Sequence, residues 1–278
     1  MTDLRDWAGQ TGDVWAQEHR RTDRSFVALA PHLDALILAV APARPFSALD
    51  IGCGAGATAC ALAAARPDAD VVGIDLSEPL VAVARARPPL ANLRFAAGDV
   101  TARAAEFAPV DLYVSRHGVM FFADPVAAFA TLARAAAPVA RLVFSCFAER
   151  RANRFAADLL AAIGQDGEAP AGDAPGPFAF ADPVRVGSVL SSAGWSAEAT
   201  RVDFAYRAGE GEDPVGDAVS FFSRIGPVAP VLRDAPDAAR RAMQGAIAAV
   251  CVRRLRDGAV DFPAAAWLWS ATLSEHAL

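Results

Sequence analysis

Lysine is absent from this chain of 278 residues, and all 26 of its basic side chains are arginine. That excludes any mechanism built on a lysine amine, such as a Schiff base. Cysteine is scarce, and Cys53, Cys60, Cys146 and Cys251 form no C-x-x-C pair. Neither a disulfide framework nor a metal site is expected, and the four thiols read as reduced small hydrophobes. Apolar residues make up 54% of the chain, yet no run approaches the roughly 20 residues that span a bilayer. The surplus is alanine spread over amphipathic helices. The stretch Met1-Thr2-Asp3-Leu4-Arg5-Asp6 is charged with no apolar segment behind it, so no secretory signal is expected and the default is a cytoplasmic enzyme. A net charge of −6 disfavours nucleic acid as the main partner, because neutralising phosphates needs a basic face.

The most informative stretch is Leu49-Asp50-Ile51-Gly52-Cys53-Gly54-Ala55-Gly56. A short apolar run carries an acid near its end, three glycines alternate with small residues, and an alanine-rich helical segment follows. Glycine alternation lets the backbone turn sharply and approach a ligand with no Cβ in the way. The following helix directs its free N–H groups and positive dipole end at whatever sits in the turn. Asp50 sharpens the reading, because a carboxylate at that mouth repels a pyrophosphate and attracts a cation. The ligand inferred is S-adenosyl-L-methionine, whose amino group and sulfonium are both positive.

Downstream the pattern alternates. Ser47–Ile51, Val71–Asp75, Leu93–Ala97, Val110–Ser115 and Ala140–Cys146 read as strands. Ala57–Arg66, Pro79–Arg87 and Pro125–Ala136 read as the helices between them. Strand and helix repeated at this spacing imply parallel pairing with right-handed crossovers, a doubly wound Rossmann-like α/β sheet. After Phe147 the regularity breaks. A helix over 149–162 leads to Gly164–Pro177, dense in Gly, Pro, Asp and Ala, which reads as a mobile loop or lid edge. A helix over Asp182–Ala193, a strand over Trp195–Ala205, helices over 214–225 and 235–257, and a last strand around Ala264–Thr272 complete the expectation. This divides the chain into an N-terminal helical cap (1–45), a donor-binding core (46–147), an insertion or lid (148–180), a core continuation (181–208), a helical cap (209–262), and a final strand and tail (263–278).

Asp75 closes the second strand, where acids in nucleotide-binding sheets accept hydrogen bonds from ribose hydroxyls. Asp99, after the third strand, can accept from an adenine amino group, with Val100 supplying a backbone N–H. The dinucleotide pattern G-x-G-x-x-A is also satisfied at Gly52-x-Gly54-x-x-Ala57, so an NAD(P)-dependent oxidoreductase is the alternative, and a donor-binding protein without catalysis is another. Asp50, Asp99 and the lack of a Tyr-x-x-x-Lys pair weigh against the oxidoreductase.

The run from Leu49 to Gly56, Gly73-Ile74-Asp75-Leu76-Ser77 and Gly98-Asp99-Val100 together resemble the class I S-adenosylmethionine-dependent methyltransferases. Ser115-Arg116-His117-Gly118-Val119-Met120-Phe121-Phe122, Gly176–Pro183 and the opening Trp15…Arg21-Thr22-Asp23 resemble a bacterial small-molecule branch similar to the quinone-biosynthesis C-methyltransferases. The resemblance implies a seven-stranded sheet with its last strand antiparallel, and a small-molecule acceptor methylated at oxygen, carbon or nitrogen by in-line displacement without a metal. It places Gly52, Gly54, Gly56, Leu76 and Ser115 at the donor, Asp50 beneath its methionine half, Asp75 on the ribose and Asp99 with Val100 at the adenine. Trp15 and Arg21 would close over the donor, Arg21 meeting its carboxylate. His117 stands where the branch more often has an aromatic residue. It sits just past the fourth strand and is the candidate general base, its proton loss expected near an imidazole's ordinary ~6.5. Phe121, Phe122, Phe178, Phe180, Phe221 and Phe222 are candidate walls of an aromatic acceptor pocket, and a monomer or homodimer is expected.

Overall fold

A computed structural model describes residues 9–165 and 174–274. Most of the stretch read as a mobile loop, and the charged N-terminal segment, lie outside the described residues. Three helices open the described chain: α1 (Gln10–Gln17), α2 (His19–Ser25) and α3 (Ala30–Val40). The core follows as β1 (Phe46–Ile51), α4 (Ala57–Ala65), β2 (Ala69–Asp75), α5 (Glu78–Arg85), β3 (Leu93–Ala97), the short turn of helix α6 (Val100–Arg103), β4 (Val110–Arg116), α7 (Pro125–Ala135) and β5 (Ala136–Phe147). Then come α8 (Arg154–Ala162), α9 (Pro183–Ser192), β6 (Trp195–Gly209), α10 (Pro214–Phe222), α11 (Ala229–Asp234), α12 (Asp237–Arg254), the two-residue β7 (Leu255–Arg256) and β8 (Ala259–Leu273).

The strands lie in the order β3-β2-β1-β4-β5-β8-β6, with β7 appended to β8. Pairs among β1 to β5 are parallel, and β8 runs antiparallel to both β5 and β6. The seven-strand path with an antiparallel last strand is therefore present, and β7 raises the sheet to eight. β2 (burial of Val71, Val72 and Ile74) and β4 (Leu112, Tyr113 and Val114) are apolar on both faces, as parallel strands covered by helices on either side must be.

Some boundaries differ from the sequence expectation. β6 continues to Gly209 and β8 begins at Ala259, because the two strands pair along nearly their whole length, from Trp195↔Leu273 to Gly209↔Val260. A long hairpin-like partner lets polar, alternating residues stay in a strand that propensity alone ends earlier. The region 214–257 holds three helices where two were expected, since Pro227 and Pro236 stand in the breaks between them. α8 starts only at Arg154, where Asn153 turns inward and its side chain spans the backbone of Ala148, Glu149 and Ala265.

After β3 the chain returns to lay β4 beside β1, so the direction of winding reverses between these two strands. In open α/β sheets ligands sit in the crevice at the carboxyl ends of the strands flanking such a switch. Here that crevice is bounded by the turn after Ile51 and the loop after Arg116.

Candidate functional site

A cavity of about 210 Å³ occupies that crevice. Its floor is the glycine turn. Gly52 has φ +61 and a Cβ there would stand 3.0 Å from Gly118 Cα, so the two loops can close together only around glycine. Gly54, at φ +54, is the opposite case: a Cβ would meet nothing within 4 Å. It borders the cavity, so its missing side chain is space for a ligand. Gly56 is left-handed at φ +83, caps the start of α4, and a Cβ there would collide with the Phe95 ring at 2.6 Å. It makes the turn and does not line the cavity, which corrects its assignment as a donor contact.

Asp50 borders the cavity, is 1% exposed, and neither carboxylate oxygen has a hydrogen-bond partner among the described residues. Burial, countered in part by the Arg116 charge, pushes its carboxyl up to about 7. The Arg116 charge and the Ala59 N–H offset only part of that burial, so the ionised form stays short of stabilisation. Asp75 accepts from the Gly54 N–H at 2.8 Å and the Ser77 N–H at 2.9 Å, so it shapes the turn as well as facing the cavity. Asp99 accepts from Thr101 N and Oγ1 and, with Leu76 and Val100, borders the same cavity. The three acids thus stand at the ends of β1, β2 and β3 around one space, and Trp15 of α1 lines it as well.

Two expected contacts are corrected. Arg21 does not line the cavity; it pairs with Glu18 at 3.0 Å and Asp217 at 2.9 Å. The arginine that does line it is Arg116, whose Nη2 donates to Asp23 at 2.6 Å. Ser115 is fully buried away from the cavity, donating to Ile51 O at 2.7 Å and accepting from Gly118 N at 3.2 Å. It braces the β4 loop onto β1. No signal in its type distinguishes a brace from a ligand contact.

His117 lines the cavity in a left-handed conformation, φ +61, unusual for a residue with a Cβ. Ser145 holds it twice: the His117 N–H donates to Ser145 O at 3.0 Å, and Nδ1 lies 2.9 Å from Ser145 Oγ. Its Nε2 is buried without a hydrogen-bond partner. Burial, reinforced by the Arg116 charge, pushes the imidazole down to about 3. The expected titration near an ordinary imidazole value is therefore wrong for this environment, and the ring stays neutral at physiological pH. Of the candidate wall residues, Phe121, Phe122 and Phe178 line the cavity, whereas Phe180, Phe221 and Phe222 are packed in the core. Phe26, Phe147, Phe155 and Tyr206 line it as well and were not legible as such, since each sits in an ordinary apolar pattern on a different element.

Residues 48–139 match the methyltransferase domain family. The trans-aconitate 2-methyltransferase of Methylobacterium radiotolerans is 41% identical over 71 residues, 26% of this chain and 26% of that protein. Its counterpart from Deinococcus radiodurans is 37% identical over 87 residues, 31% of this chain and 32% of that protein. The chain thus matches only about a quarter to a third of the length of these curated relatives. Among solved structures, the YcgJ protein of Bacillus subtilis superposes with a TM-score of 0.53 at 19% identity, covering 88% of this chain and 99% of that one. A Haemonchus contortus phosphoethanolamine N-methyltransferase 2 gives a TM-score of 0.52 at 15% identity, over 99% of this chain and 60% of that one. These likenesses show the fold. Over residues 48–139 the core matches a methyltransferase domain.

Proposed function

We propose that this protein transfers a methyl group from S-adenosyl-L-methionine to a small-molecule acceptor. The observation that carries the reading is Asp50, a buried carboxylate without a hydrogen-bond partner at the edge of a cavity whose floor is the open face of Gly54. A cationic ligand supplies what that acid lacks, whereas the pyrophosphate of NAD(P) would place like charges together. The residues fit the donor: Asp50 lies where an ammonium is attracted, Gly54 leaves backbone approachable, and Asp75 and Asp99 offer acceptors for hydroxyl and amino groups. When bound, S-adenosylmethionine supplies a methyl group on a positive sulfur, and the leaving group is neutral.

The chain's own work is alignment and exclusion of water. Asp23 and Arg116 hold α2 against the end of β4, and aromatic side chains cover the acceptor side. Proximity of this kind accounts for a large part of the rate in bimolecular transfers. His117 is the candidate group for the acceptor's proton. The curated relatives act, by name, on trans-aconitate. A tricarboxylate needs several free cations, and Arg116 is the one arginine among the described cavity residues and is already paired with Asp23. The finer resemblance to quinone-biosynthesis enzymes gains no support from the relatives described above.

Calorimetry with S-adenosylhomocysteine, S-adenosylmethionine and NADH tests the donor, with binding of the first two expected. Tight NADH binding without adenosylhomocysteine binding would overturn the reading.

A further inference from the structure

Buried polar atoms without a hydrogen-bond partner are few in folded proteins, and each asks for a cause. Among the described residues they occur on five side chains, and three of these, Asp50, Thr22 and His117, line the same cavity. Asp50 is accounted for by the donor. Thr22 Oγ1 and His117 Nε2 are not, and both residues border the cavity that the Phe26 ring also lines. Thr22 precedes Phe26 by four residues, about one helical turn, and the His117 and Phe26 ring centroids are 4.7 Å apart.

The walls around these two atoms are mostly aromatic, with the Arg116 guanidinium lying over the Phe26 ring at 5.4 Å. The Phe147 ring stands edge-on to His117 at 4.3 Å, Phe155 and Phe178 pack on Phe147 at 5.2 Å and 5.7 Å, and Tyr206 stacks on Phe155 at 4.1 Å. Burial and the Arg116 charge keep the imidazole neutral across the working pH range. A carboxylate brought into this wall would be stripped of water and find a single arginine, Arg116, already paired with Asp23, where a tricarboxylate needs several cations. A planar ring finds partners at stacking and edge-on distances. One hydroxyl on that ring satisfies what the wall leaves open.

Resting on the donor reading above, we propose that the acceptor is an uncharged aromatic hydroxyl compound, a phenol, its ring among Phe26, Phe147 and Phe178. Its hydroxyl is taken by His117 Nε2 and Thr22 Oγ1. Ser145 is then a positioning residue: with the proton on Nδ1 donated to Ser145 Oγ, Nε2 presents its lone pair to the phenolic O–H. In the transfer, the phenolic oxygen bonds to the methyl carbon as the carbon–sulfur bond breaks. That electron pair goes to sulfur, and the phenolic proton goes to Nε2 and on to solvent. A weakly basic imidazole suffices, because the proton becomes strongly acidic as the carbon–oxygen bond forms. The products are an aryl methyl ether and S-adenosylhomocysteine.

The test begins with adenosylhomocysteine calorimetry, which reports the donor site by itself. 1-Naphthol, 4-phenylphenol and trans-aconitate are then titrated into the adenosylhomocysteine-loaded protein and offered for turnover with labelled S-adenosylmethionine. The expected result is that the phenols bind and yield labelled methyl ethers while the tricarboxylate does neither. Thr22→Val and His117→Asn, the latter chosen because asparagine tolerates positive φ, should keep adenosylhomocysteine affinity and weaken phenol binding by about tenfold or more. Phenols that fail to bind the loaded protein, methylation of the tricarboxylate instead, or unchanged phenol affinity in both variants would each overturn the assignment of the acceptor and leave the donor reading intact. Absence of adenosylhomocysteine binding overturns both.

Discussion

Asp23 and Arg116 are 93 residues apart in the chain and 2.6 Å apart in the fold. The Oδ1 of one accepts from Nη2 of the other, while Asp23 Oδ2 accepts from Arg87 at 2.6 Å. Arg87 in turn donates to the carbonyl of Ala55 in the glycine turn. One carboxylate on α2 therefore ties the N-terminal helices to the loop after β4 and to the glycine turn at once.

Asp23→Asn removes the charge and keeps the shape. It should lower unfolding stability by about 1–3 kcal/mol, the range for losing hydrogen bonds between charged groups, and no more, because the three side chains are partly exposed. Donor release, followed by stopped-flow fluorescence, should be faster in the variant. Unaltered stability and release would mean that the tie has no bearing on closure.

Donor affinity should depend on pH through Asp50. Its carboxyl, pushed up to about 7 by burial, is protonated in the free protein below that pH, and a bound ammonium favours the ionised form. Binding then releases a proton, so affinity should strengthen as pH rises toward 7, by up to about tenfold per unit, and level off above it. Asp50→Asn should flatten that slope and weaken binding throughout. Calorimetry in buffers of different ionisation enthalpy counts the released proton directly.

The two glycines of the turn should fail differently. Gly54→Val projects side chain into open cavity, so donor binding should be lost while the fold survives the positive-φ strain, at least about 1–2 kcal/mol. Gly56→Val drives a branched side chain into Phe95 and should cost that strain plus about 1–3 kcal/mol of overpacking. Urea unfolding beside adenosylhomocysteine binding separates the two. Asp75→Ala should weaken the donor by about 1–3 kcal/mol, part of it through the Gly54 and Ser77 N–H groups that lose their acceptor.

His117 should leave no inflection near pH 6.5 in the rate profile, because the folded imidazole takes a proton only at about 3. Stability shows the complement. The unfolded imidazole binds a proton below about 6.5 and the folded one does not, so the fold loses stability as pH falls between these values, at up to about 1.4 kcal/mol per unit. His117→Phe removes this contribution and should flatten the acid limb of the stability curve. With donor saturating, so that the Asp50 titration does not enter, a wild-type rate that halves near pH 6.5 and loses that step in His117→Phe would contradict the burial of this ring.

Local chemistry carried much of the design. Glycine alternation after Asp50, and acids at Asp75 and Asp99, are legible because a tight turn and a strand end each demand a residue type at a fixed offset, whatever surrounds them. The strand–helix rhythm from Phe46 to Phe147 is legible for the same reason, since its period is written in neighbouring residues. Partner choice is not local. Arg21 and Arg116 are alike as residues, and only the fold gives one to Glu18 and Asp217 and the other to the cavity. Phe178 and Phe180 stand two apart, yet one lines the site and the other is buried in the core. The sequence by itself determined the sheet, the glycine turn and the acids at the strand ends. The tertiary structure decided which arginine, which aromatic rings and which orphaned atoms face the cavity, and that burial holds the His117 imidazole low, because burial and charge pairing are set by residues distant in the chain.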